Sequence, residues 1–113
     1  MARDSLELIR GTLDVLILKT LSRGTSHGYA ISRSIREATE DAFTVEEGAL
    51  YPALRRLEEK GLLESRWGVT DTGREAKLYS LTAEGRAELD SGVRTWHRYV
   101  AAMTRVLGSP VRG

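Results

Sequence analysis

The sequence predicts a mainly α fold with a small β hairpin: a winged helix-turn-helix followed by a C-terminal dimerisation helix. Three observations carry this. Helical periodicity recurs three times before residue 61, two short extended segments around a glycine-rich turn follow, and the helical period returns from Thr82 to about Leu107. The run from Glu46 to Trp67 reads as one amphipathic helix, a glycine stop and a strand, the order expected of a recognition helix feeding a wing. At 113 residues, 41% hydrophobic and 29% charged, the chain suits one compact core.

The first helix, within Gly11 to Ser22, places Leu13, Leu16, Ile17 and Leu21 on one face, with Val15 and Leu18 widening the stripe. It reads as the core pillar, buried on more than one side. Arg23-Gly24-Thr25-Ser26 interrupts the pattern, and Ser26 is placed to cap a second helix over about Gly28 to Thr39. Ile31, Ile35 and Ala38 form its inward stripe; Tyr29, Arg33 and Arg36 share an aromatic and basic outward side. Thr44-x-x-Glu47 matches a capping box for the third helix, although Pro52 argues for a later start or a kink. In that helix Leu50, Ala53, Leu54 and Leu57 fall on one face, with Gly48, Pro52, Arg55 and Glu59 opposite and Tyr51 and Arg56 on the flanks. Gly61 ends the helix, since a glycine accepts the left-handed conformation of a C-terminal cap. Leu62 to Trp67 and about Glu75 to Leu81 read as two strands joined by turn residues from Gly68 to Gly73.

Thr82 is a candidate N-cap for the last and longest helix, with Glu84 in its first turn and Gly108-Ser109-Pro110 at its end. Leu89, Val93, Trp96, Val100, Met103 and Leu107 recur at alternating spacings of four and three, which is the seam of a coiled-coil-like contact. The division expected is a winged helix-turn-helix over residues 1–81 and a dimerisation helix with a short tail over 82–113.

The composition narrows the function. Seventeen basic and sixteen acidic residues leave a net charge of +1, so binding to a polyanion must rest on segregated cations rather than bulk charge. Cysteine is absent, excluding disulfides and thiolate metal sites. No signal-peptide pattern and no apolar run of membrane-spanning length is present, and a cytoplasmic location is expected. His27 and His97 have no ligands at metal-binding spacing, Glu7, Asp14 and Glu88 are isolated carboxylates, and neither a nucleophile elbow nor a phosphate-cradling loop occurs. No cofactor, metal or catalytic activity is expected.

His27-Gly28-Tyr29, Gly48-Ala49-Leu50-Tyr51-Pro52-Ala53-Leu54-x-Arg56-Leu57-Glu58 and Tyr79-x-Leu81-Thr82-x-x-Gly85 resemble the PadR family of bacterial transcriptional regulators. The resemblance spans about residues 10 to 107, and the single C-terminal helix is similar to the short subgroup. It implies a homodimeric repressor whose third helix enters the DNA major groove and whose last helix forms the dimer interface with the first. For some members it implies a ligand pocket near that interface. Two positions depart from the family pattern: Glu46-Glu47 stand where many relatives have Ser-Pro, and Ala49 replaces a hydroxyl residue that often follows the glycine. Alanine can still meet a thymine methyl.

On this basis the candidate DNA-binding residues are Tyr29 at the start of the second helix, Gly48, Ala49, Tyr51, Pro52 and Arg55 on the third, and Arg66, Arg74 and Lys77 around the hairpin. Tyr51 and Arg55 lie one turn apart, so a phenol on a phosphate and a guanidinium on a guanine edge are both reachable. By itself that arrangement fits a solvated helix face as well. The wing cations would follow the phosphate backbone. His27 reads as a capping or packing residue. Trp96 has two readings, an anchor of the dimer seam or, with Tyr99, a clamp for a small aromatic effector. The partners expected are a pseudo-palindromic double-stranded DNA operator, a second copy of the chain and an aromatic effector; a winged-helix module that binds protein and not DNA is the alternative.

Overall fold

The computed structural model describes residue 8 and residues 11–109; Glu7 and Pro110, singled out above, lie outside the described residues. The elements follow one another as α1 (Thr12–Leu21), β1 (Ser26–His27), α2 (Gly28–Ala38), α3 (Glu47–Glu59), β2 (Leu63–Val69), β3 (Glu75–Leu81) and α4 (Ala83–Leu107). This is a winged helix-turn-helix with a long C-terminal helix, mainly α with a small sheet.

The hydrophobic period determines which faces meet. Ile17, Leu18 and Leu21 of α1, Ile31 and Ile35 of α2 and Leu50, Ala53, Leu54 and Leu57 of α3 converge with Leu63, Tyr79 and Leu89 in one core. The buried face of α3 is the one its sequence spacing predicts. Ala38, assigned to the inward stripe of α2, is exposed, because it falls in the last turn, past the reach of the core. The Ser32 hydroxyl donates to the Val45 carbonyl at 2.8 Å and ties α2 to the connection that leads into α3.

Three local expectations are corrected. The wing is more than a hairpin: β1 pairs antiparallel with β3 through Ser26↔Tyr79 and His27↔Leu78, giving a three-stranded sheet in the order β1-β3-β2. Ser26 is thereby a strand residue, and the cap of α2 is His27, whose Nδ1 accepts the Ala30 N–H at 3.3 Å. The Thr44 capping box does not form; α3 begins at Glu47 with Glu46 as an N-cap that makes no side-chain bond. Pro52 stays inside α3. Lacking an N–H, it leaves the Gly48 carbonyl without its helical donor in the second turn.

The ends of α3 and α4 are joined closely. The Leu62 N–H reaches the Leu57 carbonyl at 3.0 Å and the Gly61 N–H reaches the Glu58 carbonyl at 2.9 Å, a Schellman ending that requires the positive φ of +80° at Gly61. Thr82 caps α4, its Oγ1 accepting the Gly85 N–H at 2.9 Å while donating to the Gly61 carbonyl at 2.7 Å. A Cβ at Gly85 would collide with the Leu62 carbonyl oxygen, so only glycine lets α4 start this near the end of α3. The first half of α4 lies along α1, where Gly92 would bring a Cβ within 2.9 Å of Val15 Cγ2. No helix among the described residues is long and apolar enough to cross a membrane.

Candidate nucleic-acid interface

With its apolar stripe buried, α3 has one face left for a partner. Gly48, Ala49, Tyr51, Pro52 and Arg55 are all exposed, while Arg56 is drawn aside to α1, where its Nη2 meets Asp14 Oδ1 at 2.6 Å. That pair also accounts for the Asp14 carboxylate. The Tyr51 ring lies across the start of α2: a Cβ on Gly28 would stand 2.7 Å from its hydroxyl and from Cε1. Gly28 therefore positions Tyr51, which gives the His27-Gly28-Tyr29 segment a structural reason.

A cleft of about 820 Å³ opens between the first turns of α2 and α3 and the wing. Tyr29, Arg33 and Tyr51 line it from the helices, and Arg74 and Lys77 from the wing. Residues that lie 48 positions apart, Tyr29 and Lys77, so come to one surface. Tyr29 is held flat by two neighbours, the His27 ring stacked at 6.5 Å between centroids and the Arg33 guanidinium 5.5 Å over its face. Glu47, Asp71 and Glu75 share the cleft. Both members of the Glu46-Glu47 pair are exposed. Glu47 lies in the first turn of α3, where a carboxylate faces the positive end of the helix dipole.

The wing carries its residues on two faces. Leu63, Ser65, Trp67 and Val69 alternate with Glu64, Arg66 and Gly68 along β2. The register pairs Leu63↔Leu81, Ser65↔Tyr79, Trp67↔Lys77 and Val69↔Glu75 on the face that looks toward α3. Arg66, opposite Leu78, is on the face turned away from α3 and does not line the cleft. Glu58 of α3 accepts the Ser65 hydroxyl at 2.6 Å and stands 3.9 Å from Lys77 Nζ. Lys77 is therefore partly engaged within the chain. Burial, with the nearby Glu58 carboxylate and Tyr51 phenol, pushes the Tyr79 hydroxyl above its ordinary 10.0, against an opposing pull from Arg55. Arg55 thus lies near the sheet, although it does not line the cleft.

Sequence reasoning passed over Arg33, Glu58 and Trp67 as site residues. An arginine one turn after Tyr29 was a readable signal; nothing in the sequence pairs Glu58 with Ser65 and Lys77. Among the described residues, no group of three or more His, Asp or Glu side chains could hold a metal.

The seam of α4 divides in two. Leu89 is 5% exposed in the chain's own core, and Val93, partly buried, packs against that core, so both take part in this chain's own packing. Beyond them Trp96, Tyr99, Val100, Met103 and Leu107 are exposed. Trp96 stacks on Tyr99 of the same helix at 5.7 Å.

Comparison with known proteins agrees with this architecture. The Transcriptional regulator PadR-like family matches residues 17–91. The chain is similar to the negative transcriptional regulator PadR of Bacillus subtilis (strain 168), at 31% identity over 77 residues, covering 68% of this chain and 42% of that protein. It is also similar to a transcriptional regulator of Mycobacterium tuberculosis, at 36% identity over 83 residues and 74% of each chain. Among solved structures, a transcriptional regulator from Clostridium thermocellum superposes with a TM-score of 0.81 at 32% identity, covering 88% of this chain and 96% of that one. A PadR family regulator from Clostridium difficile gives 0.75 at 32% identity, covering 87% and 100%. The matched span runs from the core of α1 through α3 and the wing into α4, and the chain accordingly belongs to the PadR-like family of transcriptional regulators, a regulator of that type rather than an enzyme.

Proposed function

We propose that the chain binds double-stranded DNA as a homodimer and represses transcription in the cytoplasm from a pseudo-palindromic operator. The observation that carries this reading is the shared surface: Tyr29, Arg33 and Tyr51 from the helices and Arg74 and Lys77 from the wing line one cleft beside the exposed face of a firmly packed α3. Tyr51 sets register on a phosphate and Arg55 reads a base edge, with two copies of α3 entering major-groove half-sites about one helical turn apart. The exposed apolar half of α4, from Trp96 to Leu107, supplies the dimer contact, with Trp96 as its anchor. The boundary at 81/82 then marks where α4 begins, while the arm free for a partner starts after Val93, since Gly85 and Leu89 are buried in the core. The stacked Trp96 and Tyr99 pair is the place where a small planar aromatic effector would enter and release the DNA.

Retardation of its own upstream DNA, followed by selection from a random-sequence duplex library, tests the reading. Arg55→Ala should cost roughly 1–3 kcal/mol on the selected site and relax sequence preference. Equal losses on selected and random duplex would refute base reading by Arg55. Failure of the unaltered protein to retard any duplex would favour a winged-helix module that binds protein instead.

A further inference from the structure

Trp67 is 69% exposed and Val69 65% exposed, two apolar side chains on one face of the wing that no described residue covers. The two stand next to one another on one strand face, an apolar pair rather than a singly scattered residue, and their neighbourhood marks a candidate contact site. Its location identifies the occupant. Ser65, two residues earlier on the same strand and the same face, is held to α3 by Glu58 at 2.6 Å. Trp67 comes next, roughly 7 Å further out, opposite Lys77. The indole thus stands on the α3-facing side of the wing, one strand repeat beyond the Glu58–Ser65 contact, where the angle between α3 and the wing opens.

We infer that Trp67 is a non-ionic contact to the sugar-phosphate backbone of DNA. This rests on the proposed DNA reading. When α3 lies in a major groove and the wing on the neighbouring minor groove, the strand that separates the two grooves passes through that angle. Deoxyribose presents apolar C–H surface to the ring face, and the indole Nε1–H, a donor without acceptor capacity, meets a phosphate oxygen. Lys77 beside it supplies charge, so the pair divides the contact between counterion release and apolar packing. Trp67 adds affinity for every sequence and reads none of them.

The test compares the unaltered protein with Trp67→Ala, Trp67→Phe and Lys77→Ala, titrated with the selected site and with random duplex across a salt series. Trp67 is exposed, so all should unfold at nearly the same temperature. Trp67→Ala should bind both duplexes about tenfold more weakly with an unchanged slope of log affinity against log salt, whereas Lys77→Ala should flatten that slope by about 1. Trp67→Phe should fall between, keeping the ring and losing the N–H. Tryptophan emission should be quenched by duplex in the unaltered protein and less so in Trp67→Phe, which retains Trp96 alone. Unaltered affinity and quenching in the Trp67 variants, with Arg55→Ala still losing its site preference, would overturn the inference and leave the DNA reading intact. A flattened salt slope in Trp67→Ala would overturn the non-ionic role, and absence of duplex binding by the unaltered protein would remove both.

Discussion

Gly85→Ala separates two physical effects of opposite sign. Gly85 lies in the first turn of a helix, where alanine ordinarily gains about 0.5–1 kcal/mol over glycine. In this chain the added Cβ would overlap the Leu62 carbonyl oxygen and stand 2.8 Å from Leu81 Cδ1 and 3.0 Å from the Leu62 carbonyl carbon. The carbonyl cannot withdraw, because the Leu62 N–H is held by the Leu57 carbonyl at 3.0 Å and its oxygen accepts the Thr82 N–H at 3.1 Å. The start of α4 must therefore move. That movement weakens the Thr82 cap, worth about 1 kcal/mol, and the Thr82-to-Leu62 bond, worth about 1 kcal/mol, with overpacking of about 1–3 kcal/mol where movement is incomplete. Against the propensity gain, the net loss is about 2–4 kcal/mol. Urea unfolding followed by far-ultraviolet circular dichroism, at one fixed protein concentration, should show the midpoint falling by about 1 M or more. A midpoint equal to or above that of the unaltered protein would show that the close approach at Leu62 does not constrain the fold. Gly92→Ala serves as the comparison: its Cβ meets only the Val15 side chain, Cγ2 at 2.9 Å and Cβ at 3.6 Å, with no fixed carbonyl in the way, and the loss should be smaller.

Three further outcomes follow from contacts described above. Gly28→Ala pushes on the far end of the Tyr51 ring, 2.7 Å away, so stability should change by less than about 1 kcal/mol while duplex affinity falls; a Gly28→Ala/Tyr51→Ala double variant should bind no more weakly than Tyr51→Ala alone, and additive losses would contradict positioning through Tyr51. Trp96→Ala should dissociate the proposed dimer, and a variant still dimeric at low micromolar concentration by sedimentation would contradict its anchoring role. The folded chain holds the Tyr79 proton more tightly than the unfolded chain, whose phenol titrates near 10.0. Its contribution is complete below that pH and lost as pH rises through the folded value, so the unaltered protein should lose stability relative to Tyr79→Phe above pH 10.0; parallel urea midpoints across that range would refute this.

Much of this architecture was readable in order along the chain. The 3.6-residue period of Leu50, Ala53, Leu54 and Leu57 names the buried face of α3, and by exclusion the face that can meet a partner. Thr82 and Gly61 declare the ends they cap. What stayed hidden depends on neighbours distant in sequence. A two-residue strand such as β1 has no period to read, and its pairing with β3 exists only once the chain has turned back. The Asp14 to Arg56 ion pair spans 42 positions, and either residue alone looks solvated. The α4 seam shows a further limit: spacing identifies an apolar stripe but not whose surface covers it, and the stripe proves to be shared between the chain's own core at Leu89 and an uncovered stretch beyond Val93. Gly28 and Gly85 stand inside the family motifs, yet their reason, room for a Tyr51 ring and for a Leu62 carbonyl, appears only in three dimensions.

Glu58 is the residue on which helix and wing depend jointly. One carboxylate receives the Ser65 hydroxyl from β2 at 2.6 Å and approaches the Lys77 ammonium of β3 at 3.9 Å, so both strands of the wing are clamped to a single turn of α3. The angle between the two projections is thereby settled before any encounter, and ordering them adds little to the entropy lost on association. Helix and wing act as a caliper of preset opening rather than as two independent fingers. In the proposed complex, a duplex whose groove spacing departs from that opening would have to deform to be gripped, and the stiffness of the DNA itself would then enter what the protein discriminates.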